Sequence, residues 1–332
     1  MIKRQDFYYE WNMRFLHEPR ERRESSFRFV WFAVIILLFN SFTSCSRSAQ
    51  SDKLLIAVSI PPQAWFVSQI TGDKAGHPAK QPADILILVP PGQNPHNYEP
   101  TPKQIQSLSK AKAWILSGAE FEIILRPKIE KLFPDLLIID GTEGVDFRYL
   151  TEYEHDDCDD PDHDHDEAPA QYRDRHTWLG YEPAIIMAMQ IASSFVIFDN
   201  ANSEYYFNQM DILIKKIDGV FKELIITLAP LNGKSVFVYH PSFGYFLDEF
   251  GIIQEAVEVG GKEPTPRQLN ELMEKVKQEK PAAIFVQKQF PVNAAKTIAG
   301  TVGAKVIELD PLAQDWLKNI KHMGQELRNT IK

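Results

Sequence analysis

Four residues at the boundaries of predicted elements carry side chains of types that can bind metal: three follow apolar runs and one precedes a helical pattern. His96 lies in the loop VPPGQNPHNYEP, after the apolar run Ile85–Val89. His240 follows the run Ser235–Tyr239 without a gap, and Asp310 follows Lys305–Leu309. A proline succeeds each of these last two. His176 sits in Asp174-Arg175-His176-Thr177-Trp178, just ahead of a helical pattern. If the three runs are parallel strands, then His96, His240 and Asp310 occupy carboxyl ends, where open α/β sheets bind ligands. Pro90, Pro91, Pro95, Pro100 and Pro102 stiffen the His96 loop by fixing φ. Three imidazoles and one carboxylate form a tetrahedral set suited to zinc. Spacing does not establish that they meet. Each histidine could equally make only local hydrogen bonds, and Asp310 could cap the helix expected after Pro311.

Three further histidines, His155, His163 and His165, lie in an acidic segment at 152–168. Between Glu152 and Glu167 there are ten acids and no base. From Glu154 to Glu167 nothing apolar is available for burial, so the segment reads as a disordered loop. Histidines and carboxylates in bulk can hold metal weakly; a merely solvating acidic loop is the alternative. His17 precedes the expected mature chain, and His77 and His322 have no polar cluster around them.

The elements that must position these residues follow from the pattern. Leu54–Val58, Ile85–Val89, Trp114–Ser117 and Leu136–Ile139 are short apolar runs, with helical spacing at Trp65–Ile70. Thr101-Pro102-Lys103-Gln104 is a helix start: Thr caps, Pro suits the first turn and Gln completes a capping box. This βαβα order predicts a parallel sheet covered by helices. Glu182–Phe198 reads as a helix. Asn202–Leu228 is one long amphipathic pattern that would extend ~40 Å. The alternation then restarts with strands at Ser235–Tyr239, Ile253–Val257, Ala282–Val286 and Lys305–Leu309, a helix at Phe243–Phe250 and a second Thr-Pro-x-Gln start at Thr265. Another helix is expected between the last two strands, and one after Pro311. The expected fold is α/β with two lobes, each a mainly parallel sheet flanked by helices, joined by one long rigid helix. The divisions are 1–45 for a signal, 46–201 for the first lobe, 202–230 for the linking helix and 231–332 for the second lobe.

Composition narrows the function. The chain has 332 residues, 44% hydrophobic and 24% charged, in the range of an ordinary globular protein. Its net charge of −9 argues against a nucleic-acid binder, which would need a basic face. Removing the ten acids of the loop leaves 35 acids against 36 bases, so the excess is local. The two cysteines, Cys45 and Cys158, cannot form a disulfide scaffold. Phe29–Phe39 is an uncharged run of eleven residues. It is too short to span a bilayer, which takes about 20, but suits a signal peptide flanked by Arg22, Arg23 and Arg28. Met13 is an alternative start. The run ends in Phe42-Thr43-Ser44-Cys45, which resembles a bacterial lipoprotein signal whose cysteine becomes the lipid-bearing N-terminus. Acyl chains there would hold a soluble protein at the membrane. A retained anchor or a plain signal peptide cut elsewhere is the alternative.

The segments NPHNYEPTP, DRHTWL, YHPSFGYF and VGGKEPTPRQL…AAIFVQKQF…GAKVIELDPLAQDW resemble the metal-binding solute-binding proteins of bacterial zinc and manganese ABC importers. The likeness runs from about Leu54 to the C-terminus, with the motifs in the family's order. It implies two α/β lobes with a rigid linking helix, and metal ligands at His96, His176, His240 and Asp310. Asn94, Arg175 and Gly180 depart from residues common nearby in the family, at positions that are not ligands. The acidic segment takes the place of the histidine-rich loop of zinc-specific members.

The reading is therefore a binding protein rather than an enzyme: an exported, lipid-anchored monomer that captures Zn2+ and delivers it to an importer's permease. Manganese is the alternative cargo. A secreted zinc hydrolase is the rival class; it needs an open coordination position and a nearby general base, and no HExxH-like pair is present.

Overall fold

The computed structural model describes residues 54–72, 83–150, 173–258, 266–290 and 292–331. The expected signal at 1–45 with Cys45, and Cys158, His155, His163 and His165 of the acidic segment, lie outside the described residues.

Two four-stranded parallel sheets carry the architecture. The first has β1 (Leu55–Val58), β2 (Asp84–Ile87), β3 (Ala113–Leu116) and β4 (Leu137–Asp140) in the order β2-β1-β3-β4. The second has β5 (Ser235–Val238), β6 (Ile253–Ala256), β7 (Ala283–Gln287) and β8 (Lys305–Leu309) in the order β6-β5-β7-β8. β1, β3, β5 and β7 are almost wholly buried. Helices on both faces account for their continuous apolar runs.

Helices α1 (Pro61–Thr71), α2 (Pro102–Leu108) and α3 (Glu120–Leu132) belong to the first half of the chain. The capping box expected at α2 is present: Thr101 Oγ1 accepts from Gln104 N at 3.3 Å, and Thr101 N donates to Gln104 Oε1 at 2.8 Å. α3 had no counterpart in the pattern reading. Pro127 in its interior removes one hydrogen bond and argues against a helix on local grounds. Burial of Phe121 and Ile129 overrides that preference.

α4 (Tyr181–Phe198) is long and apolar enough to cross a membrane by composition, and here it is a core helix with ten of its residues buried. α5 (Ser203–Leu228) is the long linking helix, 26 residues or ~39 Å. Tyr206, Met210, Leu213, Ile217, Val220, Phe221, Leu224 and Leu228 form its buried stripe at helical spacing. α6 (Gly244–Asp248), α7 (Pro266–Glu279), α8 (Val292–Val302) and α9 (Trp316–Arg328) complete the second half. α9 returns to pack on α5 and α1. Trp316, fully buried, lies 5.0 Å from Phe66 and 6.4 Å from Phe221 between ring centroids. A Cβ at Gly324 would come within 2.3 Å of Leu224, so glycine there permits the close approach of α9 to α5. This aromatic joint packs α9 against α1 and the linking helix.

A three-histidine centre

Each histidine is held by its own local device. His96 occupies a short turn, Pro95–Asn97, where Asn94 Oδ1 accepts from His96 N at 3.0 Å. The surrounding loop is pinned to the start of α2: Gln104 Nε2 donates to Leu88 O at 2.6 Å and Tyr98 Oη donates to Gln104 Oε1 at 2.9 Å. His176 opens the turn Thr177–Leu179, with Asp174 Oδ1 accepting from its backbone N at 3.0 Å. His240 leaves the end of β5. Its backbone is gripped on both sides by Gln287 of β7, whose Oε1 accepts from His240 N at 3.2 Å and whose Nε2 donates to His240 O. Phe290 stacks on the His240 ring at 4.6 Å and 16°.

The three Nε2 atoms converge. His96 Nε2 is 2.9 Å from His240 Nε2, which is 3.3 Å from His176 Nε2, and the ligand atoms of all three lie within 4.8 Å of one another. Nitrogens bound tetrahedrally to one ion at the usual Zn–N length stand roughly 3.3 Å apart. The void bounded by the rings, Trp178, Phe290, Pro311 and Leu312 measures about 10 Å³, the size of one water or one ion.

Every outer ring nitrogen meets a carboxylate. His96 Nδ1 is 2.9 Å from Glu120, His176 Nδ1 is 2.8 Å from Asp174, and His240 Nδ1 is 2.6 Å from Glu258. An ionised carboxylate only accepts, so each Nδ1–H donates outward and each Nε2 lone pair is left facing the centre. The sequence reading had not singled out Glu120 or Glu258. Asp174 it had quoted only as part of the His176 motif. Glu258 is the hardest to see: it lies 18 residues from His240 in the chain and beside it only because β5 and β6 pair.

The electrostatics separate the ligands. Burial pushes His96 down, but its hydrogen bond to Glu120 and the charges of Glu120, Glu258 and Asp174 outweigh it, and its pKa is raised. Burial dominates at His240 and lowers it to about 4, with His176 and His96 adding to the effect and Glu258 opposing it. Burial would raise Glu120, yet His96 and His176 bring it down to about 2. Glu122, two residues on, is lifted by burial to about 7 even though Ser117 N, Ser117 Oγ and Gly118 N all donate to it at 2.8 Å. It shapes the turn from which α3 presents Glu120.

Asp310 is placed differently. Its Oδ1 accepts from Gln289 Nε2 and Leu312 N, both at 3.0 Å, and it is not among the converging atoms. The turn after it is tied to the His176 side, since Trp178 Nε1 donates to Pro311 O at 2.9 Å. A larger cleft of about 500 Å³ opens beside the start of α3 and the segment at 140–149, and none of the three histidines lines it.

Two parallel α/β halves, a long linking helix and three converging imidazoles define a two-lobed metal-binding protein of the solute-binding class. The profile of the family described as zinc-uptake complex component A, periplasmic, matches residues 56–330, and the chain belongs to that family. The high-affinity zinc uptake system protein ZnuA of Bacillus subtilis (strain 168) is 28% identical over 287 residues, 85% of each chain. The manganese ABC transporter substrate-binding lipoprotein PsaA of Streptococcus mitis is 26% identical over 308 residues, 90% of this chain and 91% of that one. A crystal structure of ZnuA matches with a TM-score of 0.73 at 30% identity, covering 84% of this chain and 99% of the other.

Proposed function

We propose that this protein captures Zn2+ outside the cytoplasmic membrane, on His96, His176 and His240, and delivers it to the permease of an ABC importer. The observation that carries this reading is the convergence of three Nε2 atoms, each oriented by a carboxylate on the opposite ring nitrogen. Asp310 is the proposed fourth ligand. Its Oδ1 is engaged by Gln289 and Leu312, which leaves Oδ2 as the atom to reach an ion.

Manganese is the second reading, because a family relative is named for it. Three neutral nitrogen donors favour zinc, since imidazole suits it and the general affinity order places manganese lowest. Carriage is favoured over hydrolysis by the family, whose relatives are named as uptake-system and transporter substrate-binding proteins. The proposed cellular form is an exported monomer anchored through lipid on Cys45, with the divisions 1–45, 46–201, 202–230 and 231–332 as its parts. His155, His163 and His165 are proposed as weak auxiliary binders.

Metal analysis of protein refolded from a chelated state under competing zinc and manganese tests the reading. One zinc per chain is expected. Preferential loading of manganese contradicts the choice of cargo. For the anchor, Cys45→Ser is expected to release the protein from membrane fractions, and undiminished sedimentation would point to a retained anchor instead.

A further inference from the structure

Asp174 uses its two carboxylate oxygens for different tasks. Oδ1 takes the His176 backbone N and faces Nδ1; Oδ2 is held by Arg148 Nη1 at 2.6 Å. The same guanidinium reaches forward to α6, where its Nε donates to Asp248 Oδ2 at 2.9 Å. α6 begins four residues after His240. Arg148 thus bridges the carboxylate that orients one histidine and the helix that follows another.

Three further contacts reinforce the bridge. Tyr245 of α6 accepts from Arg148 N at 3.0 Å and donates to Asp174 O at 3.1 Å through the same hydroxyl. The two chain segments that carry Arg148 and Asp174 are themselves paired, with Asp174 N donating to Arg148 O at 2.9 Å. The seat of the guanidinium is Gly244: a Cβ there would fall 1.7 Å from Arg148 Nη1 and 2.2 Å from its Cζ. The glycine of the YHPSFGYF motif, which the metal centre itself leaves unexplained, is the surface on which the arginine lies.

We propose that Arg148, seated on Gly244, is a positioning residue that sets the spacing of His176 and His240 and thereby the retention of the ion. The inference rests on the three-histidine reading. A planar fork can serve Asp174 and Asp248 together, which a lysine ammonium cannot do in the same geometry. Without the guanidinium, Asp174 keeps its bond to His176 but loses the partner of its Oδ2, and α6 is left with the Tyr245 hydroxyl as its link to the His176 segment. The ligands would then no longer be held at one separation, and metal would leave faster.

The test uses the full chain with Zn2+ and, separately, Co2+ as probes. Zinc release is timed against a chromophoric chelator, and the Co2+ d–d absorption reports the ligand geometry. Arg148→Met is expected to speed zinc release about 10–100-fold, the range for groups that orient ligands, and to change the Co2+ bands. Arg148→Lys should fall between this variant and the wild type. Gly244→Ala leaves every charge in place but must displace the guanidinium, so it should reproduce the Arg148→Met phenotype. If Arg148→Met fails to fold, Gly244→Ala and Asp248→Asn decide. Wild-type release rates and Co2+ spectra in folded Gly244→Ala and Asp248→Asn overturn the tie. Should His240→Ala abolish zinc binding while these variants behave as wild type, the tie alone is wrong. Should His240→Ala bind normally, the metal-site reading fails first.

Discussion

The two sheets share a strand order and a register, yet they deliver their histidines by different means. Leu55 pairs with Asp84 across β1 and β2, and Ser235 pairs with Ile253 across β5 and β6. Five residues further along each strand, Ile60 and Val89 of the first sheet correspond to His240 and Glu258 of the second. The backbone contacts match as well: Val89 N donates to Ser59 O at 2.9 Å, and Glu258 N donates to Tyr239 O at 2.8 Å. In the second sheet, strand pairing alone sets a histidine beside its carboxylate. The first sheet has apolar residues at those places. It reaches the centre instead through the proline-rich loop after β2, with Glu120 supplied from the start of α3. One ligand is built into a sheet and the other is carried on a loop. The difference extends to solvation: His240 is buried and held near pKa 4, whereas the His96 side chain is 25% exposed with a raised pKa.

Breaking the sheet-built side should have the larger effect. Glu258→Gln keeps an acceptor for His240 Nδ1 but removes the charge, and zinc affinity is expected to fall toward the upper part of the 10–100-fold range for second-layer partners. Glu120→Gln acts on a more solvated pair and should cost nearer the lower end. Competition titrations of both variants check the order; a larger loss from Glu120→Gln would reverse the comparison.

The same contrast sets the pH dependence. Metal binds neutral imidazole, so a proton on His96 competes with the ion. Because the folded-state pKa of His96 is raised, its protonation begins above the ordinary value near ~6.5. Binding should therefore weaken as pH falls through that region, while His240, held near 4, stays neutral. Glu120→Gln removes the main influence raising His96 and should move the onset to lower pH. Zinc affinity measured from pH 8 to 5 in both proteins checks the shift; an unchanged onset would contradict it.

The smallest effect is expected from the acidic segment. Ordering chain around an ion costs about 1–2 kcal/mol per backbone residue fixed, a cost from which the framework-held histidines are largely spared. Deleting Glu154 to Glu167 should remove weak additional binding and leave the tight site. Calorimetric titration that finds the tight site lost would place primary ligands in the segment. Its charge should also speed cation capture at low salt, an effect that added salt screens.

Much of this was legible in the chain itself. Short apolar runs bounded by proline and glycine marked the strands to within about two residues, because buried parallel strands need continuous apolar sequence. His240 could be placed at a strand end for the same reason, and His96 in the proline-rich loop that follows a strand. α3 was not legible, since Pro127 breaks the local helix signal and only burial of Phe121 and Ile129 restores it. Glu258 and Glu120 were not legible either, because their relation to the histidines exists only after the strands pair and the loop closes. Asp310 stands at the end of β8 as read, and its hydrogen bonds to Gln289 and Leu312, which engage Oδ1, were not legible in the chain.

The central claim is that three histidines from separate parts of the chain share one ion. Zinc titration of chelator-stripped wild type beside His96→Ala, His176→Ala and His240→Ala tests it most directly, with affinities set by a competing chelator. One tight zinc per wild-type chain is expected, with each single variant weakened by more than the roughly 100-fold reached through second-layer changes. Near-normal zinc affinity in His240→Ala would contradict the account.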